Sequence, residues 1–589
     1  MKYILPFLFL GISQFGFSQI KEEKLILDRK REPEIKKIEK KKTSVATVKN
    51  YPPKEKKIQD SLNLKYQITD VPAVSDFKTS TIQGSDISPK FNNDYHNNYF
   101  QLGVGNYGKI LADANISKTL ENKMELGADF HFLQTNGLKK VYDWKSKQNQ
   151  ADVGVFLNNY GEMGKFNING EYSMNNYHYY GIYAVQPGEN IDIQQQTNQI
   201  KVNGYYDFYS NNILNDATVK SSFLSDTFNA KESEVGLSVN LSKHDVDVND
   251  DIIMNGDLGL KLETQNTNFN ILDENYSNFL NATIAPKVTF FKGDSYLMVG
   301  SDFSFLNSKN NNNSLPEEQK NNKTYWFPRA ELQFAAASEF KFYAGVDGGL
   351  KLNSYATMLQ ENPYIVSDQI IKPTETKYNF YVGLRGDIDE NLKYDFSAGF
   401  AKANNIMFFR GNGLFNDNSS LQNRAAYDYA NTFSATYDSG KISEVKGSVQ
   451  YFPLENLILD GELNFTKYDL DNFEHIYNKP LLKATFGAKY SMLNKKLNLG
   501  FKGIFQSDRT TNTFDVATDA MNPNIFVTSE NTNRKVGGFA DLNLSAEYKI
   551  HKNFSIFAHG NNLLNANYQT FNAYKVLGAQ ILGGAKITF

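Results

Sequence analysis

The sequence predicts an all-β transmembrane barrel of about 22 antiparallel strands, in a range of about 20 to 24, behind a short N-terminal segment. Three observations carry this reading. From about residue 97 onward, runs of residues alternate apolar and polar with period two, the pattern of strands with two unlike faces. Short polar turns alternate with longer polar loops along the same stretch. Mean hydropathy is only -0.50, and the one long apolar run is at the N-terminus, which excludes a bundle of membrane helices. A barrel tolerates such hydropathy because every second residue faces water.

Taken in order, the chain begins with Met1-Lys2-Tyr3 and an apolar run from Ile4 to Phe17, ending in Gly16-Phe17-Ser18. A basic start, a short apolar core and a small-x-small site predict a signal peptide over 1–18, cleaved before Gln19, and therefore export. Residues 19–96 form a second part. Within it, 21–58 carries 14 Lys or Arg against 7 Asp or Glu, a net of +7, leaving about -10 for the rest of a chain whose total is -3. Such a stretch, with Pro33 and Tyr51-Pro52-Pro53, reads as a basic periplasmic linker that could also serve as a minimal plug. As a coil its 78 residues would reach about 50 Å.

The barrel is expected over 97–589. Short turns are expected at Leu120 to Lys123, Gly161 to Lys165, Lys292 to Ser295, Ala337 to Glu339, Asp389 to Asn391, Leu454 to Asn456, Leu493 to Lys496 and Ile550 to Asn553. Longer loops are expected at Asn307 to Lys323, Tyr355 to Thr374, Arg410 to Ala426 and Ser507 to Arg534. Phe340, Phe342, Ala344 and Val346 alternate with Lys341, and Leu392, Tyr394, Phe396, Ala398 and Phe400 with Lys393 and Asp395. Leu457, Leu459, Leu463 and Phe465 alternate with Asp460 and Glu462, and Leu497, Leu499, Phe501 and Phe505 with Asn498 and Lys502. A basic residue facing lipid at mid-membrane costs about 2 to 4 kcal/mol, so these charges belong on the lumen face.

The chain ends in a period-two strand, Phe539 to Ile550, a turn, a second strand from Phe554, the stretch Asn562-Leu563-Leu564-Asn565 with Tyr568, and a final strand from Ala579 to Phe589. In the last strand Ile581, Ala585 and Ile587 share one face while Lys586 and Thr588 take the other. This ending resembles the last three strands of a TonB-dependent receptor, over about fifty residues. The resemblance implies an outer-membrane barrel whose terminal Ile587 and Phe589 belong to the signal read by the insertion machinery. It also implies a periplasmic energy-coupling partner, and Thr43, Val45, Thr47 and Val48 are similar to that family's short coupling box. The family's plug domain would follow the box, but residues 49–96 are too few for it.

Candidate sites are sparse. Tyr177-His178-Tyr179-Tyr180, with Tyr183 beyond, reads either as an aromatic girdle at a strand end or as a stacking surface for a ligand such as a glycan. The seven histidines are scattered, His559 being placed on the lumen wall, and no two stand at metal-ligand spacing. The acidic segments Phe415 to Asp417 and Glu317-Glu318 lack the array of a calcium loop. No cysteine is present, which excludes thiol chemistry and disulfides, and no Gly-x-Ser-x-Gly places a nucleophile. Neither cofactor, metal nor enzymatic activity is therefore expected, and the net charge of -3 gives no reason to expect nucleic acid. The expected partners are outer-membrane lipid, the insertion machinery, and an energy-coupling or assembly protein bound through 19–96. Two functions stay open: solute uptake across the outer membrane, or a non-transporting barrel that anchors a protein assembly. A lumen this wide needs an obstruction in either case.

Overall fold

The computed structural model describes residues 98–120, 123–138, 141–209, 213–272, 274–311, 318–415, 422–518, 521 and 526–589. The signal peptide, the basic segment and Thr43, Val45, Thr47 and Val48 lie outside the described residues.

The sheet opens with β1 (Tyr99–Gly105), β2 (Ile110–Thr119), β3 (Met124–Thr135), β4 (Gln148–Tyr160) and β5 (Gly164–His178). It continues through β6 (Gln194–Phe208), β7 (Leu214–Asp226), β8 (Lys231–Asn249), β9 (Ile252–Phe269) and β10 (Asn275–Lys292). Next come β11 (Ser295–Asn311), β12 (Gln319–Ala337) and β13 (Phe340–Lys351), and then a short helix, α1 (Tyr355–Glu361). After it follow β14 (Thr374–Ile388), β15 (Leu392–Gly411), β16 (Phe433–Leu454), β17 (Leu457–Leu470), β18 (Leu482–Met492) and β19 (Leu497–Gln506). A separate hairpin, β20 (Arg509–Thr518) with β21 (Phe526–Val536), precedes β22 (Phe539–His551) and β23 (Phe554–Asn561). A smaller hairpin, β24 (Gln569–Phe571) with β25 (Tyr574–Lys575), precedes the closing strand β26 (Gln580–Thr588).

Outside the two hairpins, 22 strands form one sheet, and β1 pairs with both β2 and β26, so the sheet closes on itself. Every pairing is antiparallel between chain neighbours. Alternate connections therefore fall at opposite ends, and the lengths sort as expected: tight turns at the end where Tyr99 faces Thr588, long connections at the other. We call these the turn end and the loop end.

Alternation assigns the faces. Phe380, Val382 and Leu384 on β14 continue across β15 as Phe400, Ala398 and Phe396; of these Phe380, Val382, Phe396 and Phe400, like Val299, Leu332, Leu463 and Phe486, stay exposed on the outer wall. The inner wall holds the charges. Arg329 meets Asp302 at 2.6 Å, Arg385 meets Glu331 at 3.3 Å, Lys287 meets Asp257 at 3.5 Å, and Tyr343 donates to Asp395 at 2.5 Å. Asp395, read from the sequence as inward, faces Arg385 across the ladder. His559 is half-buried on the inward row of β23, next to Phe557. Ile587 and Phe589 end the chain on the outer side of the turn end, where the Phe589 N–H bonds the Asn98 carbonyl at 2.9 Å.

Three expectations need correction. The loop read at Asn307 to Lys323 is largely ladder, because β11 and β12 pair out to Asn310 and Gln319; their polar ends satisfy each other rather than water. The loop read at Ser507 to Arg534 is largely β20 and β21, a hairpin whose few apolar residues, such as Phe514, Val516 and Val527, are set among Thr, Asn and charged residues without a clean two-sided alternation. Tyr427 to Phe452, which the period-two pattern would make one long strand, is strand only from Phe433, since Tyr429 and Asn431 are buried in a loop.

The face assignment predicts an asymmetry. Val382→Arg should destabilise the barrel by about 2 to 4 kcal/mol, while Ser397→Arg on the inner wall should cost under about 1 kcal/mol. Guanidinium unfolding in phospholipid vesicles measures both.

Candidate functional site

The loop end is where buried residues concentrate. Loop residues bury themselves only if their backbone groups find partners, and here long polar side chains from one loop reach carbonyls of another. The β5–β6 loop supplies Tyr179, whose hydroxyl donates to the Ile365 carbonyl at 2.9 Å in the β13–β14 loop. Asn431 of the β15–β16 loop donates its amide to the Tyr179 carbonyl at 2.7 Å and to Ala426 at 3.0 Å. Tyr574, on β25, donates in turn to the Asn431 carbonyl. Tyr180 donates to the Lys575 carbonyl at 3.0 Å, Tyr142 to Ala573 at 2.7 Å, and the Trp144 indole to Tyr180 at 2.8 Å. Tyr364 and Tyr574 stack at 3.5 Å.

These loops start far apart. The β5–β6, β13–β14 and β23–β26 connections are separated by eight, eight and six strands of the 22-stranded sheet. Loops rooted at such spacing touch only by reaching inward, so their knot lies across the mouth. Gly181 is required in it, since a Cβ there would stand 2.4 Å from the Tyr574 ring.

A second contact crosses the same mouth. Ser354 caps α1, its hydroxyl accepting from the Thr357 N–H at 3.2 Å while the Thr357 hydroxyl accepts from the Ser354 N–H at 3.0 Å, a reciprocal capping box. The first two helical N–H groups, on Tyr355 and Ala356, donate to the Glu232 carboxyl oxygens of β8 at 2.6 and 2.8 Å, which satisfies two of the donors a helix start leaves open. The Tyr355 hydroxyl donates to Asp226 of β7 at 2.8 Å, which also takes Gln195 at 3.0 Å and Ser367. At the other end of the helix, Lys479 of the β17–β18 loop donates to Glu361 at 2.9 Å. The seven residues of α1 span about 10 Å. They tie wall strands β7 and β8 to a loop from the far side of the barrel.

Tyr177, His178, Tyr179 and Tyr180 all lie at this knot. Tyr177 and Tyr179 are 6% and 0% exposed, His178 is 5% exposed, and Tyr180 is partly covered. Tyr177 continues the inward row of β5, and the rings pack on one another and on Tyr364 and Phe228 rather than along the lipid boundary. Sequence reasoning did not single out Asn431, Tyr574, Glu232 or α1. The helix has one legible signal, Ser354-x-x-Thr357 ahead of apolar Tyr355, Met358 and Leu359 at helical spacing. No group of three His, Asp or Glu gathers at metal-binding distance among the described residues.

Burial pushes the phenols of Tyr142 and Tyr364 up to about 12 from an ordinary 10.0. Their protons stay in place at neutral pH, so their contribution to the knot is complete below pH 10 and fades as pH climbs toward 12.

No protein-family model matches the sequence, and no curated protein matches it either. Solved structures do match the fold. The siderophore receptor PiuA from Acinetobacter baumannii superposes with a TM-score of 0.59 at 9% identity, over 84% of this chain and 82% of that one. The ferric-catecholate import receptor Fiu from K12 E. coli gives 0.59 at 10% identity, over 84% and 82%. The copper transporter OprC gives 0.56 at 13%, over 84% and 80%. The chain has the 22-stranded barrel of the TonB-dependent receptors. Tight turns at one end and long loops at the other are the arrangement that outer-membrane barrels have, and the fold supports that location.

Asn431 joins two loops through carbonyls that are otherwise unpaired, so Asn431→Ala should weaken the knot by about 1 to 3 kcal/mol. Hydrogen exchange over 179–193 and 422–432 should speed up, with the barrel strands unchanged.

Proposed function

We propose that this barrel is an outer-membrane uptake receptor whose own loops shut the mouth until a solute engages them. The observation that carries the reading is the knot of Tyr179, Asn431 and Tyr574, built by loops from three sides of the wall. The fold it shares with siderophore and copper receptors supports uptake, while the solute remains to be found. Tyr177 to Tyr180 act in this reading as parts of the closure, and residues 19–96 as the periplasmic contact for an energy-coupling partner. A closure fixed by many bonds of about 0.5 to 1.5 kcal/mol each can open without unfolding the wall.

The assembly reading draws on a different feature. β21 is exposed at every position from Val527 to Lys535, so the β20–β21 hairpin offers strand surface for another protein outside the cell.

Planar-bilayer recording separates the two. The unaltered protein should be silent, and Gly181→Ala combined with Lys479→Ala should open discrete channels, because one substitution wedges Tyr574 and the other frees α1. Large steady conductance in the unaltered protein would sink the uptake reading, and persistent silence in the variant would favour the assembly anchor.

A further inference from the structure

Beside α1, the loop end holds a second kind of environment, in which cations outnumber their partners. Arg509, the first residue of β20, is 6% exposed, and its two terminal nitrogens donate to the Thr570 and Gln569 carbonyls at 2.6 and 2.7 Å. Its Nε is buried with no partner, and no carboxylate stands close enough to influence it among the described residues. Three residues earlier, Gln506 is 2% exposed, points inward and leaves its Nε2 without an acceptor. Gln506 pairs directly across the ladder with Lys483 of β18, so both side chains stand on the same inner face. Lys483 makes no ion pair among the described residues. Lys479 completes the group, and Glu361, its ion-pair partner, is the only carboxylate paired with any of these three cations among the described residues.

Two surrounding acids are engaged elsewhere: Asp508 faces Lys535 at 3.7 Å and Glu444 pairs with Lys446 at 2.8 Å. Asp541 accepts from Tyr568 at 2.7 Å through one oxygen, while its Oδ1 is buried without a partner. A buried guanidinium bonded only to neutral carbonyls is costly unless an anion completes it. Burial alone pulls the Arg509 guanidinium down to about 10, which still leaves it charged at neutral pH. The Gln506 amide and the Lys483 ammonium on one inner face, with the unpartnered Arg509 Nε three residues further along the chain, are donors of the kind that oxyanions take.

We propose that Lys483, Gln506 and Arg509, with Lys479 at the edge, form a binding site for an oxyanion, either free inorganic phosphate or the carboxylate or phosphate of a solute. The site stands on the uncompensated cations and does not require that the barrel transport anything.

Isothermal titration calorimetry on the purified full-length protein, at constant ionic strength, tests it with inorganic phosphate and with acetate as probes. Saturable heat is expected for at least one probe. Lys483→Gln and Gln506→Leu should each weaken binding about tenfold or more, while Lys441→Gln on the outer wall should leave it unchanged. Saturation by phosphate alone identifies a phosphate-type site, and saturation by acetate alone identifies a carboxylate site. Absence of saturable heat with both probes, or equal binding by the Lys483→Gln and Gln506→Leu variants and the unaltered protein, would overturn the proposal.

Discussion

The constraint on which everything else rests is that a strand in lipid must satisfy its backbone within the protein. Each N–H or C=O left open in hydrocarbon costs several kcal/mol, so a sheet can cross only if it has no edge. Here the edge is removed by seven registered pairs between β1 and β26, from Tyr99 with Thr588 to Gly105 with Leu582. Closure fixes register all the way round, and register fixes which side chains see lipid, because a slip of one residue would exchange the two faces. Irregularities sit near strand ends, as between Asp347 and Gly349, Thr376 and Tyr378, or Ala403 and Ile406. All three lie on β13 to β16 at the loop end, below the loops that carry α1 and Asn431, where a bulge can turn the chain inward.

The same accounting governs the mouth. A loop that folds inward loses water along its whole backbone, and this one regains partners through side chains long enough to span between loops. Tyrosine and asparagine suit the task, as each brings a donor on a body that packs. Tyr179, Asn431 and Tyr574 form a chain of this kind, and in it the Tyr179 and Asn431 carbonyls accept from the next loop. Glu232 is the counterpart at the wall, its carboxyl oxygens taking the two helical N–H groups of α1 that no turn of helix could.

The barrel was legible in the sequence because lipid enforces alternation at every turn of the chain. Phe396 and Asp395 could be placed on opposite faces from pattern alone. The mouth obeys no such period. Tyr177 to Tyr180 stood out as a cluster, but an inward ring and a lipid-boundary ring look the same in sequence, and only the pairing of Tyr177 with Gln195 decides between them. Asn431 was invisible because its role depends on Tyr179, some 250 residues away. β20 and β21 were missed for a third reason. β20 buries Arg509 to Asn512, which are polar, while β21 is exposed from Val527 to Lys535, so neither strand shows the apolar face by which alternation is read.

The knot and the cationic group differ in how complete they are, and that contrast has a consequence for opening. In the knot the hydroxyls of Tyr142, Tyr179, Tyr180 and Tyr574 and the Asn431 amide are paired across the loops, so those links have little to gain from a ligand. Around Arg509 the donors exceed the acceptors, and Lys479 belongs to both regions. Its bond to Glu361 holds the far end of α1, while its charge adds to that of Lys483 and Arg509. An anion drawn to those three cations competes with Glu361 for Lys479. Linkage makes the competition reciprocal: whatever the anion takes from the Lys479–Glu361 pair loosens α1, and whatever frees α1 tightens the anion by the same factor.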